Sequence, residues 1–435
     1  MTRRSTASKP KEAGLLDEVL DDPSRDRGSG ARPVVSVREQ EDAAFLTEVE
    51  ALEASRIALS RRGAWHGEWA ELGHPAGARA ASLAERLQRW HSARPIVLRG
   101  AAAALLPGFA DEIAIARALP DRLEEKSGLR RHLAALAAEL EPAFSIDPSR
   151  PKLFDAERDL ERVQLSSAAP LGRGRKVDDL WVKSSWLSTY EDDASMRLRF
   201  SFGTEREDDA SGDHLRHRLV ADLASRVLPE SALVSANPEI AQLVERLIGE
   251  RALFTQHIAY WNAPEGGALF HHDAFSEDDE EAERGPGQLG VCYLQIDGRT
   301  AWLAVSIADL ALRVREFVEA FDRGELAWVR SQLFPDAAAR ARLSDLAADE
   351  ELLRAELAKP ACGFLCGLVN RGPEFTAWLA DSGHAAVLSP GDAILLPNHG
   401  LARTAMHSVF CASDDTAYAI SYAIRADRAP DRPSS

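Results

Sequence analysis

Cysteine is scarce: the chain of 435 residues has 4, namely Cys292, Cys362, Cys366 and Cys411, too few and too scattered for a disulfide framework. Cys362 and Cys366 stand four apart in an apolar segment with no second pair nearby. That setting suits small core residues better than metal ligands. Long apolar runs are missing as well. None approaches the ~20 residues of a membrane span, and the first thirty residues hold no stretch of signal-peptide character. A cytoplasmic protein with no membrane partner is therefore expected. Positive charge is also short, with Lys+Arg 52 against Asp+Glu 69 and a net charge of -17. That balance argues against nucleic acid as a partner.

The chain is long enough to bury a large core, as one elaborated domain or as two or three smaller ones. Residues 1–35 are rich in charged and small residues without periodicity, and read as a disordered tail. Ser36 and Glu39 have the spacing of a capping box ahead of Phe45, Leu46, Val49 and Leu52. They open a helical N-terminal region, residues 36–145. Leu83, Leu87 and Trp90, at i, i+4 and i+7, mark a further helix in it. Arg94-Pro95-Ile96-Val97-Leu98-Arg99-Gly100 reads as a short apolar strand closed by glycine.

From about residue 180 the hydrophobic period falls from 3.6 to 2. Leu198, Phe200 and Phe202 alternate with Arg197, Arg199 and Ser201. Further strands are expected at 253–262, 268–275, 288–297, 300–305, 385–388, 393–396, 402–411 and 416–425. The intervening stretch 307–384 reads as a helical insertion, opened by Leu310, Val314, Phe317 and Phe321. There is no internal repeat. Short antiparallel strands with helices in front and between predict a mainly β fold with α additions. The economical form is a double-stranded β-helix, a cupin-like jelly roll, over 180–428.

Chemistry concentrates at His271-His272-Asp273 and at His407. Residues two apart on a strand share a face, so His271 and Asp273 can grip one ion while His272 points the other way. His407 follows Gly391-Asp392-Ala393-Ile394-Leu395-Leu396-Pro397, a tight turn into an apolar strand. Two imidazoles and one carboxylate suit a non-haem Fe(II) centre with open positions, although Mn, Co, Ni and Zn are also accepted. His399, nearer Pro397 in a glycine-flanked loop, competes with His407 for the distal position.

These residues resemble the JmjC-like (cupin-8-type) family of Fe(II)/2-oxoglutarate-dependent oxygenases. The resemblance covers roughly 250–306 and 385–425, with an echo at 94–100. It rests on His271-x-Asp273, on Gln295-Ile296-Asp297-Gly298-Arg299-Thr300-Ala301-Trp302, similar to the family's Gln-x-x-Gly-x-Lys-x-Trp strand, and on Gly391-Asp392, Pro397 and His407. It implies Fe(II) held by His271, Asp273 and His407, with 2-oxoglutarate as cosubstrate. The substrate would be a peptide or protein side chain, or a small molecule, that becomes hydroxylated.

Two positions depart from the pattern. Thr300 stands where the family commonly has the lysine that binds 2-oxoglutarate, and Ala268 stands where a threonine is frequent. A buried carboxylate without a cationic partner costs on the order of several kcal/mol. Another cation must then hold it, and Arg425 is the first candidate. It ends a strand whose small residues Ala417, Ala419, Ser421 and Ala423 alternate with Tyr418, Ile420, Tyr422 and Ile424. Arg197, Arg199 and Lys183 follow. The expected cosubstrate residues are thus Arg425, Thr300, Tyr260 and Ser421, with Tyr260 or its neighbour Trp261 turned inward.

The acidic run 276–283 is either a solvated loop or a device that steers a cationic substrate. Thr300 and Ala268 leave two other readings open: a cupin-like metal-binding module that has lost turnover, and a metal-dependent oxygenase that does not use 2-oxoglutarate. A homodimer is one option for the assembly.

Overall fold

Two facing antiparallel sheets organise the computed structural model, which describes residues 56–60, 69–73, 82–141, 143–147, 158–167, 176–187, 194–204, 213–274, 287–371 and 373–427. The expected tail, the Ser36 and Glu39 cap and the acidic run 276–283 lie outside the described residues. The early strands are β1 (Arg56–Ser60), β2 (Trp69–Gly73), β3 (Ile96–Leu98), β4 (Phe144–Ile146), β5 (Asp159–Ser167), β6 (Leu180–Trp186) and β7 (Met196–Phe202). The later ones are β8 (Ala252–Asn262), β9 (Gly267–His271), β10 (Gly290–Asp297), β11 (Thr300–Ser306), β12 (Ala385–Leu388), β13 (Ala393–Pro397), β14 (Ala405–Cys411) and β15 (Ala417–Ala426).

The larger sheet has nine strands in the order β3-β13-β10-β15-β8-β7-β6-β5-β4, and the smaller has four in the order β12-β11-β14-β9. β1 and β2 pair separately. In the segment 36–145, expected as helical apart from the strand at 94–100, β3 forms within that stretch, while β1, β2 and β4 depart from the expectation; β3 and β4 are the two edges of the larger sheet. β5 was not anticipated, although Val163 and Leu165 are buried between more exposed neighbours along it. From β8 onward the chain moves from sheet to sheet, so that β9 and β14 become neighbours across a long sequence separation.

Alternation along the strands decides which core each side chain joins. On β15, Tyr418, Ile420, Tyr422 and Ile424 join the core under the N-terminal helices, while Ala419 faces the smaller sheet. The helix Leu83–His91 starts from a capping box of Ser82 and Glu85, as its sequence permits, and buries Trp90 in that outer core. Between the sheets, Tyr293, Ile394 and Leu396 meet Trp302, Leu388 and Val409.

Insertion helices cover the other face of the smaller sheet. The helix Ile307–Asp322 buries Leu310, Val314, Phe317 and Phe321, which pack in one cluster with Leu303, Val305, Met406 and Phe410 of that sheet. Each such side chain contributes about 1.5–3 kcal/mol of burial. No helix among the described residues is long and apolar enough to cross a membrane.

Asp392 locks the turn before β13. Its carboxylate accepts hydrogen bonds from Arg99 Nη1 at 2.7 Å, the Gly100 amide at 2.7 Å and the Ser389 amide at 2.9 Å. The motif Gly391-Asp392 is therefore a clamp that holds the end of β3 against the sheet.

Candidate metal centre

His271 ends β9 directly opposite His407 on β14. The register shifts between His407 and Val409, and there Gly267 adopts φ 154°. A Cβ at Gly267 would lie 2.0 Å from the Val409 carbonyl oxygen, so only glycine allows β9 this close to β14.

Hydrogen bonds set the direction of both imidazoles. His271 Nδ1 donates to the Leu269 carbonyl at 2.7 Å, and His407 Nδ1 donates to the Ala405 carbonyl at 3.3 Å. These bonds assign the proton to Nδ1 in each ring and leave Nε2 as the ligating atom. Asp273 Oδ2 lies 3.8 Å from His407 Nε2, and one donor atom from each of the three residues falls within 4.8 Å of the others. Ligand bonds of about 2.1 Å would span ~4 Å across an ion, so a small inward adjustment closes this set on a metal. Burial lowers the His407 pKa to about 4, with His271 adding to the effect and Asp273 opposing it. The ring is thus neutral, as ligation requires.

Outer contacts hold the strand in place. Asn370, in the insertion, accepts the Phe270 amide at 2.7 Å, and Asn398 Nδ2 donates to the Asp273 carbonyl at 2.8 Å. His272 turns toward the insertion, where its Nε2 donates to the Ala358 carbonyl at 2.9 Å. His399 stands apart from the cluster: its Nε2 donates to the Trp90 carbonyl at 2.9 Å, and its ring meets the Trp90 ring edge-on.

A cavity of about 340 Å³ opens beside the three ligands. Tyr260 and Ser421 line it, as do Tyr293 and Trp302. Burial raises the Tyr260 phenol pKa. Trp261 points to the opposite face of β8 and stacks on Tyr418 at 5.4 Å.

Thr300 is buried but does not line the cavity. Its hydroxyl donates to Gln295 Oε1 at 2.6 Å and accepts from Trp302 Nε1 at 2.9 Å. Arg425 is also buried outside the cavity wall, past Ile424, the last β15 residue that pairs with β10. Lys183 pairs with Asp159 at 3.1 Å and does not reach the cavity either.

Among the described residues, the arginines and lysines that do line it are Arg197 and Arg199. They pair across β7 and β8 with Tyr260 and Ile258, and directly paired residues share a face. Asn262, two residues beyond Tyr260 on the same face, lines the cavity too and was readable from alternation alone. Asn370 and Asn398 carry no local signal in the sequence, because each acts through a backbone group distant along the chain.

No family model and no curated protein matches the chain. Among solved structures it is similar to a structure of YcfD, a ribosomal oxygenase from Escherichia coli, at 11% identity and a TM-score of 0.23, over 80% of this chain and 52% of that one. A second structure of Escherichia coli YcfD gives 12% identity and a TM-score of 0.24, over 80% and 53%. The chain spans about half the length of those chains. So slight an overlap leaves the site's own geometry as the ground for a functional reading.

Proposed function

We propose that the chain is a non-haem Fe(II) oxygenase that uses 2-oxoglutarate, built on a jelly roll of β8 to β15. The observation that carries this reading is the pair of imidazoles, His271 and His407, facing each other with Asp273 beside them at the edge of a cavity. Two nitrogens and one carboxylate leave open positions on a metal, the arrangement of the facial-triad oxygenases. The strand orders β13-β10-β15-β8 and β12-β11-β14-β9 support the jelly roll, since they follow from two Greek keys folded face to face.

His271, Asp273 and His407 would hold the ion. When bound, it supplies activation of O2 coupled to oxidation of a 2-oxo acid. The protein's own part is orientation and shielding. Leu269 and Ala405 fix the imidazole rings through their carbonyls, and Val291, Tyr293 and Trp302 keep water from the inner wall. The hydroxyls of Tyr260 and Ser421 are placed to hydrogen-bond a ligand oxygen. Asp273, with its side chain 37% exposed against 6% for His407, marks the side from which a small molecule or a peptide side chain enters.

Anaerobic titration of the Fe(II)-loaded protein with 2-oxoglutarate tests the reading. A saturable, weak visible charge-transfer band that is lost in His271→Ala supports it. Iron binding without a band favours an oxygenase independent of 2-oxoglutarate or a binding module. The enclosure of Thr300 between Gln295 and Trp302 is the observation on that side.

A further inference from the structure

The chain as a whole is acidic, with a net charge of -17, yet the wall of its metal-side cavity is basic. Arg197 and Arg199 line it, and among the described residues Asp273 is the one carboxylate that does. With a divalent ion on the three ligands, the ion and the charged side chains among the described lining residues come to about +3. A ligand that enters such a space is stabilised by negative charge and opposed by positive charge.

The two arginines are built into the fold rather than laid on its surface. Arg199 is 7% exposed, and Arg197 is steadied by donating from Nε to Ser185 Oγ at 2.9 Å, on the neighbouring strand β6. Lys183, the Cα partner of Arg199 on β6, pairs with Asp159 and does not line the cavity, whereas Arg197 and Arg199 do. They belong to the larger sheet, while the metal ligands sit on β9 and β14 of the smaller one or just beyond β9, so the cavity lies between the two sets. A guanidinium stays charged when buried and offers a planar fork to a carboxylate. At Thr300 the groups at hand are neutral: its hydroxyl is bonded to Gln295 and Trp302.

Resting on the oxygenase reading, we propose that Arg199, seconded by Arg197, is the anion anchor of this cavity and takes one carboxylate of a small dicarboxylate whose other end reaches the metal ligands. A strand outside the eight of the jelly roll then supplies the cation that the position of Thr300 lacks. The ligand in the cavity is accordingly acidic and small, and a cationic side chain is disfavoured there.

The test is calorimetric and needs no turnover. The full chain, loaded with Mn(II), is titrated with 2-oxoglutarate and with 2-oxopentanoate, which lacks the distal carboxylate. Wild type is expected to bind 2-oxoglutarate at least about tenfold more tightly. Arg199→Gln loses that preference while its affinity for Mn(II) and for 2-oxopentanoate stays within about twofold, and Arg199→Lys retains part of it. A preference that survives in both Arg199→Gln and Arg197→Gln overturns the proposal.

If wild type binds neither 2-oxo acid, succinate becomes the probe. Succinate binding that depends on Arg199 keeps the anchor, assigns the anion to the substrate and removes the 2-oxoglutarate reading; no succinate binding removes both. Near-UV circular dichroism checks that Arg199→Gln folds, and Arg197→Gln with Arg199→Lys carries the test if it does not.

Discussion

His271 and His407 are direct partners across the antiparallel pair β9 and β14, with ring centroids 4.2 Å apart, although the whole helical insertion separates them in sequence. Each ring is aimed by a carbonyl two residues earlier on its own strand. Removing either ring should therefore cost metal affinity without undoing the fold. His407→Ala is expected to bind Mn(II) or Co(II) at least about 100-fold more weakly. Wild type should melt at higher temperature as either ion is added, by linkage, and the variant should not. A metal-dependent rise retained in His407→Ala would assign the ion elsewhere.

Asn370 joins the insertion to the metal strand through one buried hydrogen bond to the Phe270 amide. Asn370→Ala leaves that amide unpaired and should destabilise the protein by about 1–3 kcal/mol. Urea unfolding measures the loss. An unchanged midpoint would show that β9 needs no support from the insertion.

Asp392 and Arg99 form a largely buried pair at the turn into β13. Asp392→Asn leaves the guanidinium without its partner charge, for an expected cost of about 3–5 kcal/mol. Adding Arg99→Met to that variant should then cost far less than Arg99→Met alone, because the two side chains act as a unit. Additive losses in the double-mutant cycle would contradict the clamp.

His257, within the larger sheet beside Tyr422, is fully buried, and burial lowers its pKa from 6.5 to about 4. The unfolded chain therefore takes up this proton first as pH falls. The contribution of His257 is complete above about pH 6.5 and is lost toward pH 4, by roughly 3 kcal/mol at most. Metal-free His257→Leu should show a shallower fall in urea midpoint over that window than metal-free wild type. Identical slopes would mean that His257 titrates alike in both states.

Much of this molecule is legible along single segments. The alternation in 416–425 announces a strand with one small and one bulky face, and β15 sends those faces into two different spaces, the cavity and the outer core. The spacing of Leu310, Val314, Phe317 and Phe321 announces the first insertion helix and its buried stripe. The two-residue step from His271 to Asp273 announces a shared side, and the structure brings His407 to that side.

What the sequence did not disclose concerns neighbours. His399 and His407 read as rivals until folding joins one to the Trp90 carbonyl and pairs the other with His271. Arg425 reads as the better-placed cation because its strand has a small face, yet it lies past the paired end of β10, while Arg197 and Arg199 line the cavity. Local pattern determined which residues of a strand share a face, because the backbone alternates whatever surrounds it. Only the tertiary structure decided which face meets which cavity, because strand order and register are set by pairings between segments remote in the chain.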